Sequence, residues 1–348
     1  MSAPALETAL EGLDVDQFWE RGYAILPDVY SPEEIAAFRE AAYASRGYGG
    51  DLLANPRLRS VITDGRMAAV ARKLLGTDDL FYSGDSSFTV NGTQKGWHKD
   101  NADRIDPAAP DWDGRYTQLR FGIYCQDHSA HTGGLNLRIG SHDLRNTTEG
   151  ENLYVKTTPG DLAVWSMRIT HSGNGMLLKD PDAPFPLPNE HDTFTPDQVA
   201  EADGDRIALF VHIGADDKHA KRYADYTKTR TYLVNAWRKR PYDEEAVRAA
   251  ADAGLHLRDM PAEVMDDPTA GLNELWKPFP YEGQKTAAPA AKPAAAPAAT
   301  PGATPAPATG EGSSAADAKA MAKTTLRRAA RAARSGAKGI RDGWRAGH

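Results

Sequence analysis

Residues 159–173 read PGDLAVWSMRITHSG, in which a Gly-Asp turn leads into the apolar run 162–165 and then to His171. Four apolar residues bounded by turn residues are typical of a short buried strand. A histidine at the end of such a strand, followed by the small residues Ser172 and Gly173, has open space beside its ring. The segment therefore predicts a β-rich fold with a candidate metal ligand, His171, at one strand end.

Short apolar runs of the same kind recur between residues 80 and 213, separated by Gly, Asn, Asp and Pro. They cover residues 88–90, 119–125, 135–137 and 207–213. Many short strands joined by turns indicate a barrel or a sandwich, and the jelly roll is one such architecture. We predict a mainly β fold with flanking helices, built on a double-stranded β-helix (jelly roll, cupin-like) at about 80–240.

Helix signals lie before these strands. Residues 14–22 predict a short helix that ends at a glycine, and residues 23–26 predict a strand. Ser31 and Pro32, followed by two glutamates, form a strong helix start, because serine caps the first turn and proline fits its first position. Residues 66–75 predict a further helix that ends at Gly76.

Composition divides the chain into three parts. Residues 1–284 are assigned to one domain, in which the polar, Pro-rich stretch 175–205 is an insertion, a candidate lid. Residues 285–312 are rich in Ala and Pro and predict a disordered linker. Residues 313–348 predict a basic helical tail that contacts an anionic surface, with lipid as the first choice and nucleic acid as the second.

Charge and cysteine content bear on the compartment. The formal net charge is -7, although residues 310–348 hold nine Lys and Arg against three Asp and Glu, so the acidity belongs to the domain. Cys125 is the single cysteine, which excludes an intrachain disulfide and fits a reducing compartment. With an acidic N-terminal segment and no apolar stretch of about 18 residues, we expect a cytoplasmic protein, peripherally membrane-bound if the tail binds lipid.

A second candidate segment, residues 96–101, reads GWHKDN. On a strand, residues two apart point to the same face, so His98 and Asp100 can reach one ion. With His171 from a neighbouring strand, they would supply two imidazoles and one carboxylate. This set leaves open positions on the metal and is used by non-haem Fe(II) oxygenases. By itself, a His-x-Asp pair is more often structural.

The chain resembles the phytanoyl-CoA dioxygenase family of 2-oxoglutarate oxygenases across about residues 15–214. Five segments carry the resemblance in the family's order: 18–35, 97–100, 132–142, 160–171 and 206–212. The chain departs from the family pattern at Lys99, where glutamine is usual, and before Gly140, where a proline is missing. It also departs in the long stretch between His171 and Arg206.

The resemblance implies a cofactor set and site residues. Fe(II) would be held by His98, Asp100 and His171, with 2-oxoglutarate and O2 as co-substrates. The far carboxylate of 2-oxoglutarate would pair with Arg206, and Lys99 and Ser172 are further candidates for co-substrate contacts. Because Asp100 retains the carboxylate that related halogenases lack, hydroxylation of a C–H bond is favoured over halogenation, while desaturation and cyclisation stay open.

Lys179 is an alternative to Arg206 as the cation that pairs with 2-oxoglutarate, because it lies nearer to His171 in the sequence. Lys179 is followed by a turn, whereas Arg206 opens an apolar strand on which residues 206, 208, 210 and 212 share one face. The expected binding partner is a small-molecule substrate. It would be anionic if the cations near residues 96–101 line a pocket rather than form a solvated face. Those cations are Lys95, Lys99, Arg104, Arg115 and Arg120.

Two other functions stay open from the sequence. A jelly-roll metal enzyme that does not use 2-oxoglutarate would need no cation at Arg206. A catalytically silent binding module, anchored by its basic tail to membrane or nucleic acid, would need no intact His98, Asp100 and His171.

Overall fold

The computed structural model describes residues 3–92, 96–103 and 108–272. The predicted linker (285–312) and tail (313–348) lie outside the described residues, as do Lys95 and Arg104. The strands of the described part are β1 (Tyr23–Leu26), β2 (Leu80–Tyr82), β3 (Ser86–Val90), β4 (Gln118–Tyr124), β5 (Leu135–Ile139), β6 (Glu151–Val155), β7 (Leu162–Ser166), β8 (His171–Ser172), β9 (Ile207–Ala215) and β10 (Leu255–Leu257). Its helices are α1 (Ala3–Glu11), α2 (Val15–Arg21), α3 (Pro32–Ala44), α4 (Ser60–Thr63), α5 (Arg66–Leu75), α6 (Lys218–Thr227), α7 (Thr231–Lys239), α8 (Glu244–Asp252) and α9 (Met260–Val264).

The strands form two sheets. The larger sheet has the order β1-β7-β4-β9-β2-β10, and β3 pairs with β9 beside β2. The smaller sheet has the order β6-β5-β8. The pairings are antiparallel apart from that of β10 with β2.

A core lies between the two sheets. Tyr124 of β4, Trp165 of β7 and Ala208 of β9 pack with Leu137 of β5 and Val155 of β6. Burying a large apolar side chain stabilises the fold by roughly 1.5–3 kcal/mol, so this layer holds the sheets face to face. Two facing antiparallel sheets of short strands form the jelly roll, and the predicted fold class is confirmed.

The other face of the larger sheet is covered by helices. Ile207, Leu209 and Val211 of β9 lie in one apolar cluster with Val70 and Leu74 of α5. Because strand side chains alternate, the even-numbered positions of β9 point the opposite way, toward the smaller sheet. The sequence prediction that residues 206, 208, 210 and 212 share one face, directed inward, therefore agrees with the regular register of β9.

The N-terminal helices begin and end where capping chemistry places them. Asp14 caps α2, and Gly22 ends it at a φ of 85°, which favours glycine. Ser31 caps α3 by accepting from the Glu34 N–H, and the Glu34 carboxylate accepts from the Ser31 N–H, which completes a capping box. No helix within the described ranges is long and apolar enough to cross a membrane.

Candidate active site

Two histidines lie side by side at the edge of the smaller sheet. The backbone N–H of His98 donates to the carbonyl of His171 at 3.0 Å, and that of His171 donates back at 2.9 Å. Their ring centroids are 4.2 Å apart. Residues 96–101 do not form the predicted strand beyond this bridge. Asp100 instead turns back, its N–H bonded to the carbonyl of Met167 at 2.9 Å.

The side chains of His98, Asp100 and His171 converge. Nδ1 of His98 lies 3.0 Å from the Gly96 carbonyl, and Nδ1 of His171 lies 3.1 Å from the Ile169 carbonyl. Each Nδ1 therefore carries the proton, and each Nε2 keeps its lone pair for a metal. Nε2 of His98 lies 3.8 Å from Asp100 Oδ1, and Nε2 of His171 lies 3.6 Å from Asp100 Oδ2. One ligand atom from each of the three residues lies within 4.8 Å of the other two, so the set can hold one metal ion.

Arg120 fixes the orientation of Asp100. Its Nε donates to Asp100 Oδ2 at 3.2 Å, and its Nη2 donates to Asp85 Oδ2 at 2.8 Å. The hydroxyl of Tyr223 donates to the same Asp85 oxygen at 2.6 Å. Burial by itself would raise the pKa of Asp85, but the charge of Arg120 holds it below the usual value. The anionic Asp85 thus anchors Arg120, which in turn positions the candidate metal carboxylate.

The three candidate ligands open into a cavity of about 220 Å³. One part of its wall is apolar and aromatic, formed by Tyr124, Leu135, Trp165 and Phe210. His171 is buried, and its burial lowers its pKa to about 3, so its ring is neutral at physiological pH.

Arg206 lies in the same cavity, immediately before β9. Its Nε donates to the Gly133 carbonyl, its Nη1 donates to Thr89 Oγ1 at 3.3 Å, and its guanidinium lies 5.6 Å from the Tyr124 ring. No carboxylate of the described residues pairs with it. Burial lowers the pKa of Arg206, yet a guanidinium stays protonated at pH 7. Arg206 is therefore a half-buried cation available to an anion.

Lys99 and Ser172 lie elsewhere, which corrects their assignment as co-substrate contacts. The Lys99 ammonium donates to the carbonyls of Ser141 at 2.6 Å and Arg168 at 2.7 Å, and burial lowers its pKa to about 7. The Ser172 hydroxyl donates to the Gly173 carbonyl at 3.1 Å. Neither side chain lines the cavity. These hydrogen bonds hold the Lys99 ammonium and the Ser172 hydroxyl on backbone carbonyls rather than in the cavity.

The other predicted cations are dispersed. Of the three that the structure describes, Arg120 lines the cavity, Lys99 is turned away, and Arg115 is exposed with its guanidinium 4.5 Å from the Trp19 ring. Lys179, the rival of Arg206, is exposed on the insertion. Residues 175–205 are all described, and none of them lines the cavity. The insertion lies against the loop before β5, where Thr132 and Ala202 form a β-bridge.

Asp85, Arg230 and Tyr232 line the cavity but did not emerge from the sequence. Asp85 lies in the connection between β2 and β3, Arg230 directly precedes α7, and Tyr232 is the second residue of α7. None of them belongs to a periodic pattern or to a recognisable motif. The alternation of Tyr, Thr, Lys and Arg in residues 223–232 is the one local signal, and it does not identify a binding site.

No protein-family model matches the chain, and no curated protein matches it. Among solved structures, it is similar to the non-haem alpha-ketoglutarate-dependent epimerase SnoN from nogalamycin biosynthesis (20% identity, 60% of this chain, 84% of that chain, TM-score 0.44). It is also similar to HygX from Streptomyces hygroscopicus with nickel and 2-oxoglutarate bound (17% identity, 59% of this chain, 88% of that chain, TM-score 0.43). A third similar structure is EctD from S. alaskensis (17% identity, 59% of this chain, 79% of that chain, TM-score 0.42). These likenesses are distant, so the chemistry of the site depends on its own geometry.

Proposed function

We propose that this protein is an Fe(II)- and 2-oxoglutarate-dependent dioxygenase that hydroxylates an unactivated C–H bond of a small molecule. One observation carries the proposal. A His-Asp-His cluster and a half-buried guanidinium with no carboxylate partner among the described residues open into the same cavity. An arginine with a purely structural role is usually paired, because a charge that is partly removed from water and left unpaired is costly.

His98, Asp100 and His171 would hold the iron. The bound ion would supply the activation of dioxygen, coupled to the oxidative decarboxylation of 2-oxoglutarate. Overall, a substrate C–H bond, O2 and 2-oxoglutarate are converted into a C–OH group, succinate and CO2. Two imidazoles and one carboxylate leave coordination positions for co-substrate and dioxygen.

Arg206 would bind the far carboxylate of 2-oxoglutarate. A guanidinium has five N–H groups, of which Gly133 and Thr89 take two, so three are left for a carboxylate. A paired N–H fork matches the two oxygens of a carboxylate. Binding there leaves the keto-acid end of 2-oxoglutarate for the metal.

The remaining residues would orient and protect the reacting groups. Arg120, held by Asp85, keeps Asp100 in position before the metal arrives. The wall of Trp165, Phe210 and Tyr124 excludes water from the site.

The test begins with protein purified without oxygen. One Fe(II) should bind per chain, and 2-oxoglutarate should then produce the visible charge-transfer absorption of an iron-bound 2-keto acid. His98→Ala, Asp100→Ala and His171→Ala should each lose this absorption and all succinate release while keeping the circular dichroism of the wild type. The matched control is His256→Ala, in an exposed cluster with Asp79 and Asp216 that also has the ligand types for a metal. Full succinate release in either site histidine variant would refute the assignment.

The same experiment separates the rival enzyme class. If Fe(II) binds but 2-oxoglutarate neither perturbs the iron nor is consumed in a metabolite screen, the chain is a metal enzyme of another kind. Hydroxylation itself is tested by mass spectrometry of the product under isotopically labelled dioxygen, which should place one labelled oxygen atom in it.

A further inference from the structure

Arg230 is a second guanidinium in the active-site cavity that has no carboxylate partner within the described part of the chain. It lies just before α7, with its guanidinium 4.6 Å from the Tyr232 ring and 5.9 Å from the Tyr226 ring. Its Nε is buried and has no hydrogen-bond partner. A buried donor left without a partner costs about 1–3 kcal/mol, so a group absent from the structure is expected to meet it.

The acidic residues near Arg230 are already engaged. Asp85 influences Arg230 electrostatically, but its carboxylate binds Arg120 and Tyr223. Asp100 is a candidate metal ligand that Arg120 also contacts. Arg230 is therefore left for a ligand rather than for the protein.

Arg230 and Arg206 lie toward opposite ends of the cavity. Arg206 precedes the first residue of β9, whereas the Asp85 carbonyl accepts from the backbone of His212, six residues later. Six residues of a strand extend about 20 Å. Arg230 lies toward the Asp85 end: its guanidinium is 5.9 Å from the Tyr226 ring, that ring is 6.2 Å from the Tyr223 ring, and Tyr223 donates to Asp85. A co-substrate held at Arg206 therefore leaves Arg230 free.

The charge balance of the cavity leaves one positive charge. Among the described residues that line it, Arg120, Arg206 and Arg230 are cationic, and Asp85 and Asp100 are anionic. A divalent metal adds two positive charges, and the 2-oxoglutarate dianion cancels them. The remaining single charge would be neutralised by one anionic group on the substrate.

We propose that Arg230 binds a carboxylate of the substrate, with Tyr226 and Tyr232 holding its guanidinium in place. The proposal rests on the proposed function, since it takes the co-substrate to be at Arg206. It identifies the substrate as a small monocarboxylic acid that enters beside Tyr232, whose side chain is half exposed. Stacking on two rings restrains the guanidinium and leaves its N–H edge for the acid.

The test uses benzoate and its neutral analogue benzamide as probes. Ligand-observed saturation-transfer NMR measures their binding to protein loaded with diamagnetic Zn(II) and saturated with 2-oxoglutarate. Benzoate should bind the wild type and should bind Arg230→Gln at least tenfold more weakly. Benzamide should bind both proteins equally weakly. Arg115→Gln is the matched control, because it removes an exposed guanidinium that also lies on an aromatic ring.

Further measurements separate this proposal from the proposed function. Paramagnetic broadening by Mn(II) should reach the benzoate protons, which places the probe in the metal cavity. The benzoate comparison is repeated without metal or 2-oxoglutarate in an Arg206→Gln background, which removes the other cation. If Mn(II) or 2-oxoglutarate fails to bind, but benzoate still binds more weakly to Arg230→Gln, the result contradicts the proposed function and supports the role of Arg230. Equal benzoate binding with and without Arg230, or none by the wild type, overturns the role of Arg230.

Discussion

Replacing Arg206 by glutamine should weaken 2-oxoglutarate binding without affecting the metal. The variant removes the cation but keeps a polar side chain of similar length, so the contact with Gly133 is partly retained. Breaking one side of a buried, hydrogen-bonded charge pair costs about 2–4 kcal/mol. At about 1.4 kcal/mol per factor of ten, the dissociation constant of 2-oxoglutarate should rise roughly 30-fold to 700-fold.

The assay is an anaerobic titration of the Fe(II)-loaded protein with 2-oxoglutarate, followed by the charge-transfer absorption. Fe(II) affinity is measured separately and should match that of the wild type, since Arg206 contacts none of the three candidate ligands. Lys179→Ala is the control, because Lys179 was the other cation in sequence range and is exposed on the insertion. A large loss of affinity in Lys179→Ala, together with wild-type affinity in Arg206→Gln, would refute the assignment of the co-substrate cation.

Three further predictions concern stability and the tail. Arg120→Met should lower the free energy of unfolding by about 3–5 kcal/mol, because Asp85 and Asp100 lose their shared partner. Urea denaturation measures this change, and an unchanged midpoint would contradict the prediction. Burial raises the pKa of Asp51 to about 6 from 3.8, so its contribution to stability is present below about pH 4 and is lost as the pH rises to 6. This loss is on the order of 3 kcal/mol, and Asp51→Asn should remove it from the pH profile of thermal unfolding; parallel profiles would argue against it. Removing the residues after Thr286 should leave turnover nearly unchanged and abolish binding to anionic lipid vesicles, and equal vesicle binding by both proteins would exclude that role.

Local chemistry was enough to predict most of the regular elements. The capped helices α2 and α3 and the strands β1, β5, β7 and β9 follow from residue types within a few positions of each element. The strands that went unpredicted, such as β6 and β10, are half polar or very short and form because a partner strand is already in place. Their stability comes from tertiary pairing, which a local pattern does not contain.

The site was predictable only in part, for the same reason. Strand alternation brought Arg206 to the inner face of the larger sheet, and the structure places it there. The direction of Lys99 depended on a backbone that turns at Asp100 rather than continuing as a strand. Arg230 reaches the cavity from a connection between two helices, and its position is set by packing against distant elements rather than by its sequence neighbours.

The reciprocal backbone bonds between His98 and His171 have a consequence for metal supply. They fix the spacing of the two imidazoles through the backbone rather than through an ion, so the proposed metal would meet donors that are already in place, unlike the metal of a zinc finger. Gain and loss of that ion would then be reversible binding to a preformed site. Divalent ions that bind such donors more tightly than iron would compete for it according to their abundance. The fraction of active protein in a cell would thus follow the intracellular ratio of iron to its competitors.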